Sequence, residues 1–166
     1  MAEPTKPSCK SEILAKFKLF GGFKEEELET LLSLSDCKVY QAGETIVTEG
    51  ETGLCMYVIL HGSVRVYSHA GDNEVELAQL HAGDFFGELA LVDDGPRSAT
   101  VVALEETHAL RITRMVVGVL AGVQPSAAIH LLAAIGRSLV NRLRAGNQKY
   151  LDLILLGHKE SAPSAS

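Results

Sequence analysis

The residues with the clearest chemical capacity lie in one stretch, Gly83-Asp84-Phe85-Phe86-Gly87-Glu88-Leu89-Ala90-Leu91-Val92-Asp93-Asp94-Gly95-Pro96-Arg97-Ser98-Ala99-Thr100-Val101. Arg97 supplies a planar, permanently charged fork of N–H donors that pairs with a phosphate through charge-assisted hydrogen bonds. Glu88, nine positions earlier, supplies acceptor oxygens that suit a hydroxyl, such as a ribose 2′-OH, and repel an anion. Gly87 lets the backbone approach a bound group closely. Glu88–Leu91 can close one helical turn, whose first N–H groups would attract an anion. Asp93-Asp94-Gly95-Pro96 then returns the chain to a strand headed by Arg97. The alternative is a surface ion pair between Glu88 and Arg97, worth ~0–1 kcal/mol.

Other chemistries find little support. Histidines occur at 61, 69, 81, 108, 130 and 158, with no H-x-H or H-E-x-x-H spacing, so no metal site is expected. G-x-S-x-G and similar nucleophile patterns are absent. The chain therefore reads as a non-enzyme without a cofactor. Cys9, Cys37 and Cys55 form no CxxC pair and read as reduced thiols of a cytoplasmic protein. Lys6, Lys10, Lys16 and Lys18 interrupt any leader-peptide core, and no apolar run reaches the ~18–20 residues of a membrane span. A net charge of −6 argues against a nucleic-acid partner, which favours a basic face. The opening methionine and tail favour a complete small protein over an excised domain.

The elements that must position this stretch follow from periodicity. With 166 residues, 46% of them apolar, one domain with its own core is expected. Ile13, Leu14, Phe17 and Phe20 predict a helix over 11–20, stopped by Gly21-Gly22. A second helix is predicted over 24–34, with Leu28, Leu31 and Leu32 inward and Glu25–Glu27 forming a solvated first turn. From Asp36 to Thr113, glycines punctuate short apolar runs, an all-β rhythm. The clearest strands are Cys55–Leu60, Ser63–Ser68, Glu74–Leu80, Ala99–Ala103 and Thr107–Ile112. His61-Gly62 and Ala70-Gly71-Asp72-Asn73 read as hairpin turns. A short helix over 114–121 and a long one over 126–156 complete the chain. Leu132, Ile135, Leu139 and Leu143 share one face of the long helix, with Arg137, Arg142, Arg144 and Lys149 on polar positions. Gly118, Gly122 and Gln124-Pro125 read as a hinge between the two helices.

The stretch Phe86-Gly87-Glu88-Leu89-Ala90-Leu91, a short loop, then Pro96-Arg97-Ser98-Ala99-Thr100-Val101 resembles the phosphate-binding cassette of cyclic-nucleotide-binding domains. Members include the ligand domains of protein kinase A regulatory subunits, cyclic-nucleotide-gated channels and the bacterial catabolite activator protein. Glu49-Gly50-Glu51-Thr52-Gly53, Met56-Tyr57-Val58-Ile59, Gly62-Ser63-Val64-Arg65-Val66 and Leu19-Phe20-Gly21-Gly22-Phe23 extend the resemblance over about residues 11–145. A bacterial stand-alone member fits best.

The resemblance implies a mostly β fold with flanking helices: an antiparallel, jelly-roll-like β-roll, an N-terminal helical segment, and C-terminal hinge and lid helices. The expected organisation is a flexible tail over 1–10, the domain over 11–157 (helical 11–35, β-roll 36–113, helices 114–157) and a tail over 158–166. By the same resemblance Arg97 holds the cyclic phosphate. Backbone N–H groups of Gly87, Leu89 and Ala90, and of Ser98 or Ala99, complete the cradle behind Phe86, and Glu88 takes the ribose 2′-OH. The base lies near Val66 and Leu80, capped by Arg142 or Asn147. The implied ligand is cAMP, with cGMP as the alternative because the Ser98 hydroxyl can reach a guanine. The implied output is movement of the C-terminal helix towards an unknown downstream protein, from a monomer or weak homodimer. The alternatives are the sensing part of a transcription regulator or channel, and a ligand-free interaction scaffold of the same fold.

Overall fold

A computed structural model of the chain describes residues 9–160. Residues 1–8 and 161–166 of the two expected tails lie outside the described residues. Cys9 belongs to no loose tail: it is joined to Cys37 in a disulfide, with Cα atoms 6.7 Å apart. This corrects the expectation of three reduced thiols. A separation of 28 residues hides the proximity that the start of α1 and the first strand create.

The N-terminal segment is less regular than its periodicity predicts. Helix α1 covers only Ser11–Leu14, and Lys18–Phe20 forms a separate 3₁₀ turn. Phe20 nevertheless reaches the core at 1% exposure. Helix α2 (Glu25–Leu34) forms as expected, burying Leu28 and Leu31. Its first turn is not simply solvated, because Glu27 is buried. The Glu27 carboxylate accepts from the Lys24 backbone N–H at 2.9 Å and from the Ser126 hydroxyl at 2.5 Å. These bonds, that of Ser126 foremost, hold its carboxyl below the usual carboxylate range.

Eight strands follow: β1 (Asp36–Tyr40), β2 (Thr45–Val47), β3 (Cys55–His61), β4 (Ser63–Ala70), β5 (Asn73–His81), β6 (Phe85–Phe86), β7 (Thr100–Ala103) and β8 (Thr107–Thr113). They form two antiparallel four-stranded sheets, ordered β1-β8-β3-β6 and β2-β7-β4-β5. Gly71-Asp72 closes a two-residue hairpin between β4 and β5, with Gly71 at φ 63°, the sign that tight hairpin loops require. His61-Gly62 is no hairpin: it carries the chain from β3 in one sheet to β4 in the other. Gly62 has φ 89°, and a Cβ there would collide with Glu106 and Thr107.

Val47, Tyr57, Ile59, Val64, Phe86, Val101 and Ala109 fill the space between the sheets. The alternating residues Met56, Val58, Leu110 and Ile112 are also fully buried. Strands β3 and β8 are thus covered on both faces, as expected for near-continuous apolar runs. Helix α3 (Arg114–Val123) packs on β8 and α2.

Helix α4 spans Pro125–Glu160, so it passes the expected boundary at 157. Only Gln124 separates it from α3. Gly118 and Gly122 sit inside α3, which takes those two glycines out of the expected hinge and leaves Gln124 between the helices: propensity alone weakens a helix at glycine, and packing of Val116 and Leu120 overrides it. Pro125 suits the first position of α4, where no N–H partner is lost. The chain divides into two compact units at Leu131 and Leu132. In the second unit the expected apolar face is uneven: Ile135 is buried and Leu143 is 65% exposed.

Candidate functional site

The cassette begins where β6 pairs with β3, Tyr57 opposite Phe86 and Val58 opposite Phe85. The Phe86 ring stacks on Tyr57 with centroids 5.2 Å apart. This anchors Phe86 in the core and sets the origin of the next turn. Gly87 then takes φ 75°, ψ 11°, a left-handed conformation that costs a side-chain-bearing residue dearly. Glu88–Leu91 follows as a 3₁₀ turn. Within it Ala90 N–H donates to the Gly87 carbonyl at 3.2 Å, so that amide closes the turn. Leu89 is exposed, while Glu88 and Ala90 are buried.

Glu88, at 3% exposure, is no surface residue. A buried carboxylate is costly unless it is hydrogen-bonded or paired, and Glu88 is not without an interaction partner.

Arg97 is positioned by main chain at both ends. Its backbone N–H donates to Glu51 O at 2.8 Å and its carbonyl accepts from Gly50 N at 2.9 Å. Its Nη2 donates to the Cys55 carbonyl at 2.8 Å and its Nη1 to the Gly87 carbonyl at 3.1 Å. A guanidinium carries five N–H donors, so these two bonds orient the fork without exhausting it. Arg97 is half-buried, Ser98 exposed and Ala99 half-buried. The Glu49 N–H donates to Thr100 Oγ1 at 3.0 Å, which completes the zipper between the β2–β3 loop and the strand after Arg97. Ser68 and His69 hydrogen-bond to Glu49 and hold its carboxyl below the usual range.

Val66 and Leu80 both pack against the inter-sheet core, on neighbouring strands β4 and β5. Arg142 and Asn147 are exposed positions on α4, in the second unit.

Three contributors escape the sequence reading. Arg114, the first residue of α3, donates to Ala90 O from Nε at 3.2 Å and Nη2 at 2.7 Å, to Asp93 O at 2.9 Å and to Asp94 Oδ1 at 2.6 Å. A cation at a helix N-terminus opposes the helix dipole, and that misfit was the available signal. Cys55 touches Arg97 through its carbonyl and, at 3.6 Å, through Sγ; nothing in its local sequence marks it. Gly53 lies directly beneath the guanidinium. Among the described residues, no group of three or more His, Cys, Asp or Glu could hold a metal ion. No helix there is long and apolar enough to cross a membrane.

Known proteins resemble this chain in sequence and in fold. The Cyclic AMP receptor protein of Thermus thermophilus is 38% identical over 144 residues, covering 86% of this chain and 63% of the relative. The cAMP-dependent protein kinase regulatory subunit of Candida albicans is 43% identical over 91 residues, covering 48% of this chain and 19% of that protein. The chain thus spans less than two thirds of these curated relatives. Among solved structures, a cyclic nucleotide-binding domain from Methylobacillus flagellatus superposes with a TM-score of 0.75 at 30% identity, covering 85% of this chain and 80% of the other. The Thermus thermophilus Catabolite Activator Protein gives 0.71 at 37% identity, covering 82% and 62%. A family model described as cyclic nucleotide-binding domain matches residues 37–120. That match takes in β1 through most of α3, including the cassette, and this chain belongs to the cyclic nucleotide-binding domain family.

Proposed function

We propose that this chain is a non-catalytic receptor module that binds cAMP in preference to cGMP and signals through its C-terminal helix. The observation that carries the reading is the Arg97 guanidinium, oriented by the Cys55 and Gly87 carbonyls at the lip of the Glu88–Leu91 turn. In this reading Arg97 takes the cyclic phosphate with main-chain N–H groups of Gly87, Leu89, Ser98 or Ala99, and Ala90 once its turn bond yields. Glu88 accepts from the ribose 2′-OH. The base lies against Val66 and Leu80, and Arg142 or Asn147 caps it. The module acts on a downstream protein as a monomer or weak homodimer. A cytoplasmic location belongs to the same reading; the Cys9–Cys37 disulfide weighs on the other side, since reducing compartments keep thiols open.

Calorimetric titration with cAMP and cGMP side by side tests it. The parent should bind cAMP more tightly. Arg97→Ala should remain folded and lose at least about tenfold in affinity, the low end for removing the charged partner of a bound phosphate. Parent-like binding by Arg97→Ala would show that the cassette is not the site. A cGMP dissociation constant tenfold below that of cAMP would reverse the base preference.

A second reading, the ligand-sensing part of a transcription regulator, is favoured by the likeness to receptor and activator proteins of which this chain covers 63% and 62%. The net charge of −6 weighs against nucleic-acid contact by this segment itself. A gel-shift screen of this chain with and without cAMP tests nucleic-acid contact by the segment itself: retarded duplex would overturn the charge argument and favour the regulator.

A further inference from the structure

We infer that Gly53 is a positioning residue for Arg97: the space left by its absent side chain is the space that the guanidinium occupies. The inference rests on Arg97 being the phosphate holder and adds what keeps it there.

Two separate reasons make a position require glycine. At Gly43, Gly50 and Gly71 the reason is the backbone: φ is 85°, 84° and 63°, and a Cβ would meet nothing within 4 Å. Gly53 is the opposite case. It is absent from the positive-φ glycines, so its backbone does not demand glycine. A Cβ there would fall closer than 3.0 Å to Nη2, Cζ and Nε of Arg97, closer than real Cβ atoms come to a neighbour.

The β2–β3 loop therefore grips Arg97 twice. Its backbone at Gly50 and Glu51 brackets the Arg97 main chain through bonds of 2.9 and 2.8 Å. Three residues further on, Gly53 leaves the floor on which the guanidinium lies. The walls are the Cys55 and Gly87 carbonyls, at 2.8 and 3.1 Å from the two Nη atoms. A methyl group at residue 53 meets only the far end of a long, flexible side chain. The strand and loop can stay as they are, while the guanidinium must leave both carbonyls and lose its aim. The expected phenotype is an uncoupling: intact fold, weakened anion binding. Replacing glycine by alanine at a compatible φ also removes freedom from the unfolded chain, which favours the folded state.

The test is a double-mutant cycle read by calorimetric titration with cAMP and by thermal unfolding, using the full chain. Gly53→Ala should bind cAMP about tenfold more weakly than the parent, a modest loss for a misaimed charged contact, with a melting temperature at or above that of the parent. In an Arg97→Ala background, Gly53→Ala should change affinity by less than about twofold, because residues that act as one unit are not additive. Parent-like binding by Gly53→Ala, while Arg97→Ala is weakened, overturns the inference and leaves the site reading standing. Equal losses in both backgrounds overturn it too, since the loop would then act on the ligand directly. An unfolded Gly53→Ala likewise overturns it, because a gap filled only by a side-chain tip cannot hold up the fold. If Arg97→Ala binds as the parent does, the site reading itself has failed, and the inference with it.

Discussion

Arg114 and Ala90 are joined by two hydrogen bonds to one carbonyl, from Nε at 3.2 Å and Nη2 at 2.7 Å. The same guanidinium reaches Asp93 O at 2.9 Å and Asp94 Oδ1 at 2.6 Å. The first residue of α3 is thus clamped to the closing end of the cassette turn, so that α3 cannot shift without moving the turn or breaking the clamp. Charge-assisted bonds of this kind are about twice as strong as neutral ones.

The clamp predicts a coupling. With saturating cAMP, amide exchange across Arg114–Val123 should slow in the parent. In Arg114→Gln the cassette should still respond, while the response of α3 falls by about fivefold or more, the range of ordinary coupling energies. Identical protection of α3 in both proteins would show that the clamp carries no signal.

The buried carboxylate of Glu88 predicts selection at the ribose. On the proposed role the ribose 2′-OH donates to Glu88, so 2′-deoxy-cAMP, which lacks that hydrogen bond, should bind at least about fivefold more weakly than cAMP. Glu88→Ala should narrow that ratio towards one. Because the change is made on the ligand, the parent alone can decide it: equal affinities for the two nucleotides remove Glu88 from this role.

Glu27 predicts a pH dependence of stability. Its folded carboxyl is held below the ordinary value of 4.5, first by the Ser126 hydroxyl and then by the Lys24 N–H. A depressed folded value means that its contribution is fully present above about pH 4.5 and is lost as the pH falls through the depressed value. Glu27→Gln keeps the shape and loses the charge, so it should be less stable by about 1 kcal/mol at neutral pH, the difference between a charged and a neutral hydrogen bond. Denaturant titrations should show that difference shrinking below pH 4. A constant difference from pH 7 to pH 3 would assign the loss to packing instead.

The C-terminal helix predicts the output. A ligand shifts a conformational equilibrium only through unequal affinity for its states, and a cap on the base by Arg142 or Asn147 would supply that inequality. Nucleotide should then slow exchange across Ala128–Asn147 and leave the β1 and β5 edges nearly unchanged. Uniform protection along the chain, or none in α4, would take the role of output element away from this helix.

The local geometry of the cassette was legible because near neighbours set it. Gly87 takes a left-handed conformation, Glu88–Leu91 closes a turn and Arg97 stands just before β7, all within one short stretch. The β-roll was legible for a similar reason: period-two alternation and glycine-marked turns report which face of each strand is buried. His61-Gly62 shows the limit, since a turn sequence says that the chain reverses but not which sheet receives the next strand. What only the tertiary structure decided is whom each side chain meets across the chain. Arg97 finds Cys55 over 42 residues, Arg114 finds Ala90 over 24, and Ser126 finds Glu27 over 99. In the sequence Gly53 reads only as one of the glycines that mark turns. Its reason for being glycine is the Arg97 guanidinium, brought to it by the pairing of strands, because periodicity encodes burial and only packing in three dimensions assigns the partner.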